Sequence, residues 1–135
     1  MGILLQALLY AWQLPQNLLG LLVIAFTRPS ATIPCSDCYS VVRASYRMRG
    51  GISLGRYVII STSQCTTCTI RHELGHCRQS RMLGPLYLIV IGLPSIIWAA
   101  LHSRLAPRKS YYWFYTERCA DRLGGVERPD SPSQG

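Results

Sequence analysis

Two long apolar runs, separated by polar and turn-rich stretches, dominate the chain. The first covers 3–26 and the second 83–101, and each is long enough to cross a bilayer as a helix. Each has a proline near its middle, Pro15 or Pro94, where a helix bends or breaks. The first run predicts an apolar N-terminal helix, 1–27, that anchors the chain in a membrane. A kinked or interfacial helix broken around Pro15 is the alternative.

Three polar side chains interrupt the first run. Gln6, Gln13 and Asn17 lie within about 40° of one another on a helical wheel. This narrow stripe predicts a side of the helix that faces protein rather than lipid.

Shorter stretches between the two runs predict β-structure. Residues 39–46 and 56–60 are expected to be strands, 50–51 marks a turn, and 27–33 is expected to be a linker. The strands predict a β-hairpin or small sheet just before a helix. The expected fold is therefore α+β and mostly helical, with one domain over 28–126.

The stretch after the predicted sheet contains the pattern His-Glu-x-x-His. His72 and His76 are four residues apart, so on a helix their imidazoles share one face and can bind the same metal ion. A catalytic zinc site usually has three protein ligands and an open position for water. Glu73, next to the first histidine, can act as a base toward that water. Two surface histidines on an ordinary helix are the alternative.

The helix that carries this pattern has recognisable limits. Thr66 or Thr67 can cap its start, and it is expected to run to about Met82. Gly75, near its centre, is a poor helix former, which suggests that another backbone approaches closely there.

A second acidic pair follows the second apolar run. Glu117 and Asp121 are four residues apart on a helix that the glycines at 124–125 are expected to end, so both can face one point. One carboxylate can complete a zinc site made of two histidines and a glutamate. The other can accept a hydrogen bond from the far nitrogen of a ligand histidine. An exposed helix with a local charge pattern is the alternative.

The second apolar run must allow these helices to meet. A chain that crosses a bilayer once within 83–101 cannot bring Glu117 back to His72. Residues 92–95 offer a break, so the run predicts two short helices that fold back as a hairpin. A straight transmembrane helix with a proline kink is the alternative. His102, the third histidine, is expected to be an interfacial residue rather than a ligand.

Four of the six cysteines form two Cys-x-x-Cys pairs that flank the predicted hairpin. If the four thiolates meet, they can form a closed structural zinc site, in addition to the catalytic zinc. Disulfides and ordinary free thiols are the alternatives. The pairs are Cys35 with Cys38 and Cys65 with Cys68.

The charge of the chain suits a membrane surface. There are 14 Lys+Arg against 6 Asp+Glu, and hydrophobic residues reach 49%. This balance favours membrane lipid as a partner over nucleic acid, for which no binding motif occurs. No basic residue precedes the first apolar run and several arginines follow it, so the positive-inside bias predicts a membrane-associated protein with its catalytic part in the cytoplasm.

The C-terminal region divides into an aromatic run and a polar tail. Residues 111–115 are all aromatic, which fits membrane-interface anchoring or core packing. Residues 127–135 contain two prolines, two serines and no apolar run, which predicts a disordered tail.

The HELGH stretch followed by E-x-x-A-D resembles the gluzincin metallopeptidases. In that family the third zinc ligand is a glutamate on a later helix, with an aspartate one turn further on. The resemblance implies a zincin-like fold and assigns a role to each candidate residue. It gives His72, His76 and Glu117 as zinc ligands, Glu73 as the base, and Asp121 as the carboxylate behind a ligand histidine.

A narrower resemblance covers more than half of the chain. The stretches 50–60, 72–98 and 111–126 look like small bacterial HExxH proteins, and similar segments occur at the ends of some Rhs-repeat proteins. We therefore expect a zinc-dependent metalloendopeptidase that acts on a peptide or protein, with 56–60 pairing with extended substrate. Arg71 or a C-terminal tyrosine is expected to stabilise the oxyanion. The alternatives are an inert membrane-anchored zinc-binding protein and a toxin-like effector that inserts into membranes.

Overall fold

Two helices, a small sheet and three further helices follow one another along the chain. The computed structural model describes residues 1–129. The molecule is 61% helical, so the predicted α+β, mostly helical class is confirmed. The elements are α1 (Ile3–Trp12), α2 (Leu14–Thr27), β1 (Ala31–Ile33), β2 (Val41–Ser45), β3 (Gly51–Leu54), β4 (Tyr57–Ser61), α3 (Thr67–Leu83), α4 (Leu93–Leu105) and α5 (Tyr115–Gly124).

The sheet differs from the predicted hairpin in its pairing. Its strand order is β1-β2-β4-β3, with β2 and β4 parallel and β3 antiparallel to β4. The expected pairing of 39–46 with 56–60 as a hairpin is therefore wrong. The hairpin partner of β4 is β3, a strand of only four residues that the sequence pattern does not mark. The turn between these two strands contains Gly55, whose φ is +65°. The stretch 27–33, expected to be a linker, contains β1, which pairs with β2.

Helices cover both faces of this sheet. Val58 and Ile60 of β4 pack with Leu74 and Cys77 of α3 in the buried core. Tyr57, on the opposite face of β4, packs against α2. The alternation follows from the two-residue period of a strand. Helix α3 is thereby held against the sheet, with β3 beside it.

The first apolar run is two helices rather than one. Helices α1 and α2 meet at Gln13 with a bend of 87°. The structure thus adopts the broken form rather than the single helix over 1–27. The polar side chains at the bend are fully buried, and Gln13 and Gln16 donate hydrogen bonds to Ser80 of α3. Asn17 accepts one from the Arg56 backbone, whereas Gln6 bonds only at the surface, to its own helix start.

The second apolar run also differs from its prediction. A single turn, Gly84–Leu86, separates α3 from a continuous helix, Leu88–Leu105, which we call the apolar helix. Its first turn is π-helical and leads directly into α4, with Pro94 in the first turn of α4, where a missing N–H is tolerated. The predicted hairpin with a break at 92–95 is therefore wrong. By length and composition, the apolar helix can cross a membrane.

The chain reverses after Leu105 and runs back along the apolar helix. Trp98 stacks on Phe114, and its indole donates a hydrogen bond of 2.7 Å to the Tyr111 carbonyl. The Tyr115 hydroxyl donates one of 2.7 Å to the Val90 carbonyl. This return brings α5 to α3, as the predicted site requires.

Helices α3 and α5 touch through their backbones. Helix α3 begins after the Thr66 cap, whose hydroxyl accepts a hydrogen bond from the Thr69 amide, as predicted. At its centre, a Cβ added to Gly75 would overlap the Ala120 carbonyl oxygen of α5. One added to Gly124 would overlap the Arg71 carbonyl oxygen of α3. The close approach expected at Gly75 is confirmed.

This contact gives a stability prediction. Gly75→Ala should lower the free energy of unfolding by about 1–3 kcal/mol, because the added methyl forces the two helices apart. Gly92→Ala is the matched control, since its Cβ would meet no atom closer than 3.7 Å. The control should leave stability unchanged or raise it by up to about 1 kcal/mol. Denaturant unfolding followed by circular dichroism measures both, and equal effects would contradict the account.

Candidate metal centre

Three buried ligand atoms converge between α3 and α5. They belong to His72, His76 and Glu117 and lie within 4.8 Å of one another. The Glu117 carboxylate is 2.9 Å from Nε2 of His72 and 3.2 Å from Nε2 of His76. The structure therefore brings together the residues expected to be the ligands.

A hydrogen bond at Nδ1, the ring nitrogen that faces away from Glu117, orients each histidine. Nδ1 of His72 lies 2.6 Å from Oδ1 of Asp121, one turn beyond Glu117 on α5. Nδ1 of His76 lies 2.7 Å from Oε1 of Gln79, on α3 itself. The Gln79 amide nitrogen donates to the Thr116 carbonyl, which fixes the orientation of the amide. Both Nδ1 atoms therefore carry hydrogens, and both Nε2 lone pairs point toward Glu117.

This donor set fits a zinc ion. Two imidazole nitrogens and a carboxylate oxygen are hydrogen-bond acceptors, and three acceptors in one buried spot require a cation or a proton between them. Ligands of a tetrahedral zinc are about 3.3–3.5 Å apart, and the Glu117 oxygen lies 2.9 and 3.2 Å from the two imidazole nitrogens. Two histidines and a carboxylate, with an open fourth position, are typical of catalytic zinc sites.

The ionisation of these residues points to the same requirement. Burial lowers the pKa of His72, but hydrogen bonds to Asp121 and Glu117 outweigh it and raise that pKa to about 9. For Glu117, burial raises the pKa, but the two histidines outweigh it and hold the pKa far below its usual value. The raised pKa of His72 means that, with no metal bound, the positively charged form of this imidazole is favoured beside the Glu117 carboxylate.

Glu73 lies beside these residues at the edge strand β3. Its carboxylate accepts a hydrogen bond of 2.6 Å from the Ser53 hydroxyl. The glycine at position 51 makes room for it, since a Cβ there would lie 2.5 Å from Oε1 of Glu73. Glu73 is buried within the fold and lines the same cleft as the histidines.

A cleft of about 490 Å³ opens over the centre. Strand β3 forms one wall and the apolar helix another, through Gly92, Ser95, Ile96 and Ala99. Tyr111 also lines the cleft, and burial followed by the nearby carboxylates of Glu117 and Glu73 raises its pKa.

Two residues considered from the sequence lie outside the centre. Arg71 is exposed and does not line the cleft, so its expected role in stabilising an oxyanion is wrong. His102 lies 2.6 Å from the Lys109 carbonyl, at the far end of the apolar helix, away from the ligands. Of the two options for stabilising an oxyanion, the C-terminal tyrosines are the ones that line the cleft, through Tyr111 and Tyr112.

Arg128 ties the last described residues to the centre. It donates two hydrogen bonds, of 2.7 and 3.0 Å, to Asp121. Its guanidinium lies 3.2 Å from the centre of the Tyr112 ring, which packs edge-on against His72. Residues 127–135 were predicted to be a disordered tail, but Arg128 has defined contacts. Residues 130–135 of this tail lie outside the described residues.

The structure does not assemble the cysteines into a second metal site. Among residues 1–129, the only group of three or more His, Cys, Asp or Glu ligand atoms is the one at His72. The reason is the parallel pairing of β2 with β4. One cysteine pair precedes β2 and the other follows β4, so they lie at opposite ends of strands that span about 16 Å. All six thiols are free.

Three further residues support the centre: Gln79, Ser53 and Arg128. The sequence indicates the position of Gln79, because it follows His76 by three residues and so shares its helix face. It does not indicate the positions of Ser53 and Arg128, since these depend on the β3–β4 hairpin and on the turn after α5. No protein-family model, no curated protein and no solved structure matches the chain. The resemblance to gluzincins therefore rests on the motifs alone.

The hydrogen bond behind His76 predicts an effect on zinc affinity. Gln79→Ala should weaken zinc binding about 10–100-fold without unfolding the protein, because the imidazole loses its orientation. Gln79→Glu keeps the acceptor for His76 but loses the donor to the Thr116 carbonyl, so it should bind zinc more tightly than Gln79→Ala does. Competition with a chromogenic chelator measures both. An equal loss in the two variants would contradict the assignment.

The separation of the cysteine pairs predicts the zinc count. The double variant Cys65→Ser, Cys68→Ser should contain one zinc per chain, as should the native protein. His72→Ala should contain none. Metal analysis by mass spectrometry measures the zinc content. Two zinc ions in the native protein and one in the cysteine variant would show that the cysteines do form a structural zinc site.

Proposed function

We propose that the protein is a zinc-dependent metallopeptidase that hydrolyses peptide bonds by activating water. One observation carries the proposal: a further carboxylate, that of Glu73, lines the cleft next to a buried set of three zinc-type ligands. Zinc in such a site acts as a Lewis acid that polarises a carbonyl and lowers the pKa of water. A metal site that serves only structure is usually closed by four protein ligands, whereas this one has three.

Glu73 is the proposed general base. It accepts a proton from the attacking water and then donates it to the departing amine. Ser53 orients its carboxylate through the hydrogen bond to Oε2. Asp121 and Gln79 keep the two imidazoles in the tautomer that leaves Nε2 free.

Strand β3 is the proposed substrate-binding edge. The sequence favoured 56–60 for this role, but β4 lies between β2 and β3 and has no free edge. β3 is the outer strand and lines the cleft, so an extended peptide can add to it through main-chain hydrogen bonds. Such pairing would hold a peptide carbonyl next to Glu73.

Tyr111 is the proposed oxyanion-stabilising group. A phenol is protonated at neutral pH, as a hydrogen-bond donor must be, and burial moves the pKa of Tyr111 still further above that range. It lines the cleft near Glu117. Tyr112 is the less suitable neighbour, because its ring is held between Arg128 and His72.

Removing the base tests catalysis apart from zinc binding. Glu73→Gln should lower the rate of peptide hydrolysis about 10²–10⁴-fold and leave zinc content unchanged, because Glu73 is not among the ligands. Glu127→Gln is the matched control, since it removes the same charge from an exposed position. A quenched-fluorescent peptide library with zinc-loaded protein provides the assay. Equal activity of native protein and Glu73→Gln would favour an inert zinc-binding protein.

A further inference from the structure

The apolar elements expose an unusual amount of hydrophobic surface. Only 11% of the apolar helix is buried. Helices α1 and α2 also turn many large apolar side chains outward. The exposed residues on the three helices include Ile3, Leu4, Leu8, Leu18, Leu22, Phe26, Ile89, Leu93, Ile96 and Ile97. Soluble monomers rarely expose so many together.

The two apolar surfaces meet at one junction. Trp12, at the end of α1, packs against Gly84, where α3 gives way to the apolar helix. Its indole donates a hydrogen bond of 3.0 Å to the Arg81 carbonyl. The bend between α1 and α2 is held to the same end of α3 by Gln13 and Gln16. The exposed helices are therefore joined to the domain at the same end of α3.

The N-terminal pair is poorly built for crossing a bilayer. Helix α1 has 10 residues and α2 has 14, whereas a crossing helix needs about 20. The 87° bend prevents the two from sharing one axis. Buried hydrogen bonds at Gln13, Gln16 and Asn17 hold that bend against the domain.

The apolar helix is long enough to cross, but its return segment is not suited to lipid. Residues 106–114 run back beside it without regular helix beyond one 3-10 turn. Irregular backbone exposed to lipid leaves polar groups unsatisfied in the bilayer core. The exposed Arg108 and Lys109 lie on the same segment, and Lys109 rests 4.0 Å over the Trp113 ring. Basic and aromatic residues together are typical of the lipid–water interface.

We propose that the protein is monotopic: α1, α2 and the apolar helix lie within one leaflet of an anionic bilayer, and none crosses it. The occupant of the apolar face is lipid, because the chain carries a net charge of +8 and places Arg104, Arg108 and Lys109 at the end of the apolar helix. An in-plane helix leaves the return segment at the headgroups, where water and phosphate satisfy its polar groups.

The cleft then opens at the membrane surface. The apolar helix forms one wall of the cleft through Gly92, Ser95 and Ala99, so the ligand residues lie one helix width from the lipid. Together with the proposed peptidase function, on which this step rests, the geometry assigns the substrate class: polypeptide segments lying at the bilayer surface.

The single lysine tests the topology in the native chain. Lys109 is the only lysine and is exposed at the far end of the apolar helix, while Cys119 is exposed on α5 beside the centre. Membrane-impermeant amine and thiol reagents are added to sealed membrane vesicles from expressing cells, before and after permeabilisation. Peptide mass spectrometry locates the labels, and Lys109→Arg is the control for the amine label.

A monotopic protein labels at Lys109 and Cys119 from the same face of the vesicle. Labels on opposite faces would show that the apolar helix crosses the bilayer and would overturn the proposal. A full-length protein that stays in the soluble fraction would overturn it as well.

Flotation with defined vesicles tests the lipid surface. The purified chain should float with vesicles of phosphatidylglycerol and phosphatidylcholine and less with phosphatidylcholine alone. Leu4→Gln with Ile97→Gln should lower the bound fraction about tenfold or more, since both side chains leave lipid. Tyr46→Gln is the control, because Tyr46 is 82% exposed at the end of β2. A stable dimer that does not float would assign the face to a second copy instead.

A separate assay tests the substrate class. Zinc-loaded protein on anionic vesicles should cleave a peptide tethered to the same vesicles at least about tenfold faster than the same peptide free in solution. Equal rates would overturn the substrate class and leave both the peptidase activity and the topology standing. Cleavage of neither peptide, with labelling and flotation as expected, would overturn the peptidase function and with it the substrate class, and would leave the topology standing.

Discussion

The imidazoles of His72 and His76 meet the Glu117 carboxylate in the interior, between α3 and α5, and the packing of these two helices is built around this contact. These acceptors repel one another when buried, so the arrangement is stable only with a cation or a proton between them. Helices α3 and α5 hold them together because Gly75 and Gly124 let the two backbones touch. Asp121 and Gln79 then fix which nitrogen of each histidine faces inward. The fold therefore needs a positive charge between these three side chains.

The chain between α3 and α5 leaves the centre and returns to it, which brings Glu117 to the two histidines. The apolar helix carries the chain away from α3, and the aromatic return segment carries it back, with Trp98 and Phe114 packed between them. The same excursion forms a wall of the cleft and exposes the largest apolar surface. Metal site, cleft and proposed membrane face are therefore consequences of one connection.

Local spacing predicted the centre better than it predicted the sheet. His72, His76, Glu117 and Asp121 obey a four-residue helical period, which needs no knowledge of the tertiary fold. Strand pairing carries no such period. Strand β3 has only four residues, so the sequence indicates a hairpin of β2 with β4, in which the two cysteine pairs would be able to meet. Pro94 lies inside the continuous helix Leu88–Leu105 without breaking it, because it directly follows the π-helical turn and the Val90 carbonyl, four residues earlier, accepts a hydrogen bond from Tyr115. Arg128 was unpredictable, because its contact with Asp121 depends on the turn after α5.

The proposals depend on a zinc ion bound by His72, His76 and Glu117. X-ray absorption spectroscopy of the zinc-loaded full chain identifies the neighbours of the metal. We expect one zinc per chain, surrounded only by nitrogen and oxygen at about 2.0–2.2 Å, with imidazole scattering that decreases in His72→Ala. Zinc neighbours that include sulfur at about 2.3 Å, or a His72→Ala variant that binds zinc as the native chain does, would contradict it.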